Sequence, residues 1–185
     1  MLWESRRMAR DRRGASALEF AMITPILILL YVGIVEIGNL LTLHRRAASV
    51  ASTAADLTAQ VKSVATVDLE DILKASGTLL TPYSTTPLKV VLSSVVADQN
   101  NVGKVEWSCA NKGAGRGAGS TFALPVGLTV ADSSVIVAEV TYSYKPTLGL
   151  SEIFSPRAFE MKRTFYARPR KSFKVTKTES GCPSV

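Results

Sequence analysis

The longest apolar segment of the chain lies near its N-terminus. From Leu18 to Leu43 the only ionisable residues are Glu19 and Glu36. A helix of this length is roughly 39 Å long at about 1.5 Å per residue, and the hydrocarbon core of a bilayer is about 30 Å thick. The pattern therefore predicts a membrane-spanning helix. Pro25 predicts a bend within it, because proline removes one backbone hydrogen bond.

The segment after the apolar run keeps a single apolar stripe. Within an alanine-, serine- and threonine-rich stretch, residues at helical spacing are apolar, namely Val50, Ala54, Leu57 and Val61. This spacing predicts that the helix continues to residue 62 as an amphipathic stalk. Its stripe must pack on something, either the chain's own domain or a neighbouring copy.

A second helix is predicted over "TVDLEDILKASGTLL", capped by Thr66 or Asp68. Three acids crowd its first turn, Asp68, Glu70 and Asp71, and we interpret them as a helix-start signature rather than as a metal or catalytic site.

The periodicity changes to two after a Pro/Ser/Thr-rich turn region. Four segments alternate in this way, "LKVVLSSVV", "KVEWSC", "SVIVAEVTYSY" and "AFEMKRTFYA", and predict amphipathic strands with one face in water. In the second segment the alternation places Val105, Trp107 and Cys109 on one face. The predicted fold class is α+β. A long N-terminal transmembrane helix continues into a stalk and is followed by a small domain, in which an antiparallel sheet of about four strands packs on helix.

This organisation divides the chain into three parts. Residues 1–14 form a short arginine-rich leader, residues 15–62 the transmembrane helix with its amphipathic extension, and residues 63–185 an α+β domain. The apolar run is too long for the about 7–15 residues of a secretory signal's apolar region, so we expect it to remain as an anchor.

The formal net charge of +7 is unevenly distributed. Five arginines precede the apolar run, Arg6, Arg7, Arg10, Arg12 and Arg13, and outweigh Arg45 and Arg46 behind it. Because positive residues stay on the cytoplasmic side, we expect a cytoplasmic N-terminus and a domain outside the inner membrane. The position of the basic cluster beside an apolar segment favours a role in topology over nucleic-acid binding.

The two cysteines, Cys109 and Cys182, are far apart and show no metal-type spacing. Outside the cytoplasm a disulfide between them is expected, and the alternative is one buried and one exposed thiol. The glycine-rich segment "GAGRGAG" lacks the spacing and the lysine of a phosphate-binding loop and is interpreted as a flexible strand connection. No nucleophile, paired-acid or metal constellation is evident, so we expect neither an enzyme nor a cofactor.

The start of the apolar run suggests a switch made by proteolysis. Cleavage after Gly14 would leave Ala15 with a charged amine, and Glu19 lies four residues on, on the same helical face. A carboxylate entering an apolar region is costly, and an amine from its own chain or from a neighbouring copy would offset that cost. The alternative for Glu19 is a side chain that reaches back to the headgroups. For Glu36 the alternatives are a partner protein or helix within the bilayer and a side chain that reaches the nearby interface.

The segment "G-ASALEF" resembles the processing site of type IV prepilins. Gly14 precedes the cut, Glu19 is the fifth residue after it and Phe20 the sixth. More narrowly, "RRGASALEFAMITPILILLYVGIVEIG" is similar to the TadE-like family of the tight-adherence (Flp/Tad) pilus system. The later stretches "LSSVV", "VEWSCA", "VIVAEVTYSYKP" and "FYARPR" resemble that family in the same order.

The resemblance implies a minor pilin, or pseudopilin, cleaved by a prepilin peptidase and retained in the inner membrane. It would help to initiate or cap a filament built from a shorter major pilin. The implied partners are the peptidase, the major Flp-type pilin, a sister minor pilin, the inner-membrane assembly platform and the bilayer. The alternative is an uncleaved bitopic membrane protein whose outer domain acts as a scaffold or adhesin, and an extracytoplasmic enzyme has the least support.

Overall fold

The computed structural model describes residues 13–100, 102–125, 127–129, 132–146 and 159–183. Residues 1–12, most of the predicted leader, lie outside this part of the chain. Helix α1, Arg13–Ala59, is followed by strand β1, Ser63–Val64, and helix α2, Thr66–Thr78. The later strands are β2 (Leu88–Ala97), β3 (Gly103–Ala110), β4 (Thr121–Phe122), β5 (Ser134–Tyr144), β6 (Phe159–Ala167) and β7 (Thr176–Lys177).

Five strands form one antiparallel sheet in the order β4-β3-β2-β5-β6. The long central pair joins Leu88 to Tyr142 at one end and Val96 to Ser134 at the other. The α+β class is confirmed: four long strands match the predicted segments, and the two-residue strand β4 is an addition at the edge.

The second half of α1 lies across one face of this sheet and forms the core with it. Five of the seven apolar helix positions in this core are alanine, which allows the sheet to approach closely. The helix contributes Leu43, Ala47, Val50, Ala51, Ala54, Ala55 and Ala59. The sheet contributes Leu88, Val90, Leu92, Trp107, Cys109, Ile136, Ala138, Val140, Tyr142 and Tyr144. The remaining members are Leu69 and Leu73 of α2, together with Val64, Leu80 and Val175.

The prediction that Val105 shares a face with Trp107 is wrong. Ser94 pairs with Trp107 and the next residue, Val95, pairs with Val105, so Glu106 is an extra residue in β3. Such a bulge reverses the alternation beyond it. Val105 therefore belongs to a second apolar cluster on the opposite face, with Val95, Phe122, Val135 and Val137, and that face is not wholly in water.

The C-terminal tail returns to the beginning of the domain. Strand β7 pairs in parallel with β1, through Ser63 with Thr176 and Val64 with Lys177. The indole nitrogen of Trp107 donates a hydrogen bond of 2.8 Å to the carbonyl of Val175, which is itself fully buried. The tail is thereby part of the folded core and holds the end of α1 and the start of α2 beside the sheet.

Candidate functional site: the free half of α1

The first half of α1 is apolar, and the described domain does not cover it. Between residues 14 and 31 every side chain except that of Thr24 is exposed. A helix with large apolar side chains on all sides is stable only in lipid or within a bundle of other helices. By length and composition this helix, with a mean hydropathy of 2.3 over its most apolar window, is a candidate membrane span. It therefore fits a membrane anchor.

Pro25 lies inside the helix, as expected, and the helix continues through it. Proline has no N–H group, so the carbonyl four residues earlier loses its helical donor. The neighbouring Thr24 hydroxyl donates a hydrogen bond of 2.7 Å to the carbonyl of Phe20. This carbonyl is not the one that Pro25 leaves without a donor, which is that of Ala21. The bond instead gives the Thr24 hydroxyl a partner where lipid offers none.

The predicted processing residues lie at the beginning of this bare segment. Gly14 and Ala15 are in the first turn of α1, and both are exposed. The first N–H groups of a helix lack intrahelical partners, so this turn opens more easily than the rest. A Cβ placed on Gly14 would meet no atom within 4 Å, so the fold places no restriction on this position.

Glu19 is exposed one turn after Ala15, and Phe20 beside it is 65% exposed. Because Ala15 and Glu19 are four residues apart in one helix, their side chains lie on the same face. Within the described residues no hydrogen bond or ion pair reaches the Glu19 carboxylate. The structure thus leaves this acid available to a group from outside the described chain.

Glu36 has a different environment, which the sequence did not reveal. The hydroxyl of Tyr144, at the end of β5, donates a hydrogen bond of 2.5 Å to Glu36 Oε1. The hydroxyl of Tyr83 donates to the carbonyl of Asn39, at 3.2 Å. The second glutamate of the apolar run is therefore a contact point for the chain's own domain. No local sequence pattern predicts this contact, because nothing near Tyr144 in the sequence shows that its strand ends beside an acid of the helix.

Further polar contacts lie near this point of the helix. Burial raises the pKa of the Tyr142 phenol, whose hydroxyl donates to the carbonyl of Ser84 at 3.1 Å. One turn above Asn39 on the helix, Arg163 Nη2 lies 3.1 Å from Nδ1 of His44. His44 thus contacts β6, and no nucleophile or acid accompanies it in the contacts that the structure gives.

Cys109 and Cys182 form a disulfide in the structure, with their Cα atoms 5.2 Å apart. Cys109 faces the core from β3, and Cys182 follows β7. The bridge fixes the tail across 73 residues of sequence.

The acids near the start of α2 form hydrogen bonds and ion pairs of the helix itself, although neither Thr66 nor Asp68 is the N-cap residue. Ala65 occupies that position, and Asp68 Oδ2 accepts a hydrogen bond of 2.9 Å from its N–H group. Glu70 pairs with Lys74 at 2.6 Å. Among the described residues no group of three or more His, Cys, Asp or Glu side chains is arranged to hold a metal ion.

The glycine-rich segment is anchored to the sheet and is not a loose connection. Arg116 makes a double contact with Glu139, at 2.6 Å for each nitrogen–oxygen pair, and lies 4.7 Å from the ring centre of Phe122. The Glu139 carboxylate raises the pKa of the Arg116 guanidinium. Gly115 passes so close to Ser108 that a Cβ would lie 2.8 Å from its carbonyl oxygen. The segment therefore packs on the outer sheet face.

Comparison with known families finds a similarity in the first segment of the chain. The family described as "TadE-like protein" matches residues 14–56, about a quarter of the chain. The N-terminal segment is TadE-like. The TadE-like match begins at Gly14 and includes Glu19, Phe20 and most of the half of α1 that packs on the sheet. No curated protein and no solved structure matches the chain.

The TadE-like family is one of Tad pilus components, and the similarity of this chain to it covers residues 14–56. The later stretches that resemble the family, which begin with β2, lie beyond the matched residues. Among the described residues one helix is long and apolar enough to cross a membrane, which suggests a membrane anchor and is consistent with the similarity to a pilus-related family.

Proposed function

We propose that this protein is a minor pilin, or pseudopilin, of a tight-adherence type IV pilus. A prepilin peptidase cleaves it after Gly14, and the new amine of Ala15 and the Glu19 carboxylate then set the axial position of the helix among neighbouring pilins. The protein helps to initiate or cap the filament. The observation that carries the proposal is the Glu19 carboxylate, which lies on a bare apolar helix one turn after a TadE-like Gly14-Ala15 bond.

The charge of the site changes with cleavage. In the intact chain Ala15 has an amide nitrogen and offers no positive charge. After cleavage the amine carries one, at the helix end where the unpaired N–H groups already favour an anion. A pair between the amine and Glu19, within one chain or between two, removes much of the cost of taking the carboxylate into lipid. Proteolysis would therefore act as the signal for assembly.

The localisation follows from the same proposal. The anchor lies in the bacterial inner membrane with the N-terminus in the cytoplasm, where the five leader arginines hold it. The domain is periplasmic, and the protein can enter the extracellular pilus. Its partners are the prepilin peptidase, the major Flp-type pilin, a sister minor pilin and the assembly platform in the inner membrane.

The deciding experiment is N-terminal sequencing of the protein extracted from membranes of its native host. The proposal predicts a mature chain that begins at Ala15. Gly14→Ala should leave the chain uncleaved, since a Cβ at this position disturbs nothing in the fold and acts only on the peptidase. Gly33→Ala is the matched control, because its Cβ also meets no atom, and it should be processed normally.

A mature protein that still begins with Met1 would contradict the proposal and would support the uncleaved bitopic scaffold or adhesin instead.

The role of Glu19 is tested separately. Glu19→Ala should be cleaved and should fold normally, since no described contact depends on it. Pilus number per cell should fall strongly, because the helix loses the charge that sets its position. Normal pilus numbers in this variant, at unchanged protein level, would remove Glu19 from the proposed mechanism and leave the cleavage result intact.

A further inference from the structure

The domain is held at a defined height on the apolar helix. Tyr144 contacts Glu36 and Tyr83 contacts the carbonyl of Asn39, and both donors come from the end of the domain nearest the N-terminal half of α1. Further along the helix the contacts follow in order, with Arg163 beside His44 and Arg170 paired with Asp56. Strands β5 and β6 therefore run along the helix, and their ends at Tyr144 and Phe159 are level with Glu36.

The free helix below this level matches one bilayer. Residues 14–35 comprise about 22 residues and span roughly 33 Å at about 1.5 Å each, against a hydrocarbon core of about 30 Å. A helix that fills the hydrocarbon with this segment places Glu36 at the boundary with the headgroups. The end of the domain is then at the same boundary, with no length of helix to separate it from the lipid.

The side chains at this end have the composition of a membrane interface. We call the exposed or half-exposed group of Tyr83, Lys112, Lys145 and Phe159 the basal surface. Phe159 is 51% exposed and pairs in register with Tyr144. Lys145 follows Tyr144 directly, and Lys112 Nζ donates to the carbonyl of Thr86, beside Tyr83 in the same turn region.

The acids near this surface are already engaged. Glu36 binds Tyr144, and Glu160 Oε2 lies 3.3 Å from Lys162 Nζ. The Tyr144 hydroxyl is neutral and does not cancel the charge of Glu36, but Lys112 and Lys145 still outnumber this acid. The excess positive charge attracts anionic lipid headgroups. Tyr83 suits the same depth, because tyrosine combines an apolar ring with a polar hydroxyl. Phe159 adds an exposed apolar ring, which gains free energy on leaving water.

We propose that the basal surface rests on the lipid leaflet on the domain's side of the membrane. Phe159 enters the boundary between headgroups and acyl chains, and Lys112 and Lys145 contact lipid phosphates. The domain is thereby held upright by two attachments, the helix that continues into it and its own lipid-contacting end. This inference needs only the membrane anchor, and neither cleavage nor pilus assembly enters it.

Strand β6 provides the matched control. Phe165 lies on the same face of the same edge strand and is 42% exposed, close to the value for Phe159. It pairs with Ala138, six residues away from the Tyr144 level, which is roughly 20 Å along the strand. The two phenylalanines therefore have nearly the same exposed fraction, but they lie at different distances from the proposed membrane surface.

The experiment uses the full chain in nanodiscs made of phosphatidylcholine and phosphatidylglycerol, with brominated acyl chains as quenchers. Trp3→Phe removes one indole from the background, and Trp107 stays, because it is buried far from the base. Phe159→Trp and Phe165→Trp are compared. The indole at position 159 should lose more than half of its emission in brominated discs and should emit at shorter wavelength, whereas the indole at position 165 should show neither change.

Equal quenching at both positions, or none at position 159 in protein that has incorporated into discs, would overturn the proposal. The charge is tested by adding Lys112→Gln and Lys145→Gln to Phe159→Trp, which should reduce the quenching when phosphatidylglycerol is present. Unchanged quenching would show that the lysines make no lipid contact. Failure of the protein to enter discs at all would contradict the anchor itself, and N-terminal sequencing decides the cleavage independently.

Discussion

The two halves of α1 have the same backbone and opposite surroundings. Residues 14–31 carry mostly apolar side chains that are almost all exposed, whereas one face of residues 43–59 is buried under the sheet and consists mainly of alanine. The difference shows which half of the helix the domain covers. Alanines let a sheet pack closely on a helix, while leucine and isoleucine on every side require lipid or other helices as their surroundings.

The two glutamates of the helix repeat this contrast. Glu36 is satisfied by the chain's own Tyr144, and Glu19 has no such contact within the described residues. An acid that the domain satisfies fixes the domain on its helix. An acid that makes no contact with the domain is available to another pilin. For this reason we propose that Glu19, and not Glu36, takes part in assembly.

The largest expected effect comes from the bridge that holds the tail. Replacing Cys109 and Cys182 together by serine should lower the free energy of unfolding by about 4 kcal/mol, since the bridge closes a loop of 73 residues. Denaturant unfolding in micelles, followed by Trp107 emission, measures the change. Insertion of the free half of α1 into membranes should not change. A loss below about 1 kcal/mol would contradict the assignment of the tail to the folded core.

Leu43→Ala and Leu41→Ala compare the two environments within one turn. Leu43 is fully buried and Leu41 is 53% exposed. The first substitution should cost about 3 kcal/mol because it leaves a cavity under the sheet, and the second should cost less than about 0.5 kcal/mol. The same unfolding assay applies to both. Equal losses would show that the boundary between the covered and free halves is misplaced.

Glu36→Ala should weaken the attachment of the domain by about 2 kcal/mol, because the Tyr144 hydroxyl loses a charged acceptor. Glu19→Ala should leave the stability of the domain unchanged. Thermal unfolding in detergent measures both variants, and pilus counts separate their cellular effects. If Glu19→Ala destabilised the domain as much as Glu36→Ala, the distinction between the two acids would fail.

Tyr83→Phe should have the smallest effect, about 1 kcal/mol, since it removes one neutral hydrogen bond to the Asn39 carbonyl. Tyr31→Phe is the control on the free half, where the side chain is 69% exposed and makes no contact with the domain that the structure gives. Thermal unfolding of the two variants should differ. Identical melting would mean that the turn containing Tyr83 does not help to hold the base of the domain.

Much of the architecture could be predicted from local pattern. The apolar run, the alanine-rich stripe and four alternating segments were sufficient for the α+β class, because hydrophobic periodicity reports the secondary structure and its buried face directly. The prediction of the buried strand faces failed where one extra residue altered the strand pairing. Glu106 adds a residue to β3, and no alternation rule locates a bulge before its partner strand is known.

The candidate site shows the same division. Gly14, Ala15 and Glu19 are close together in sequence, so the shared helical face of Ala15 and Glu19 followed from spacing alone. The partner of Glu36 did not, because Tyr144 is 108 residues away. The glycine-rich segment was expected to be flexible, and its anchoring by Arg116 depends on Glu139 in a later strand.

The sequence by itself determined that this chain has a long apolar N-terminal helix and a small α+β domain, and it predicts where the proposed processing site would lie. These properties depend on local hydrophobicity, charge and spacing, which need no fold to be read. Only the tertiary structure decided how far along the helix the domain begins, which glutamate it satisfies and which aromatic side chains stand at its base. Those depend on contacts between residues far apart in the chain, whose positions are set by strand register and packing.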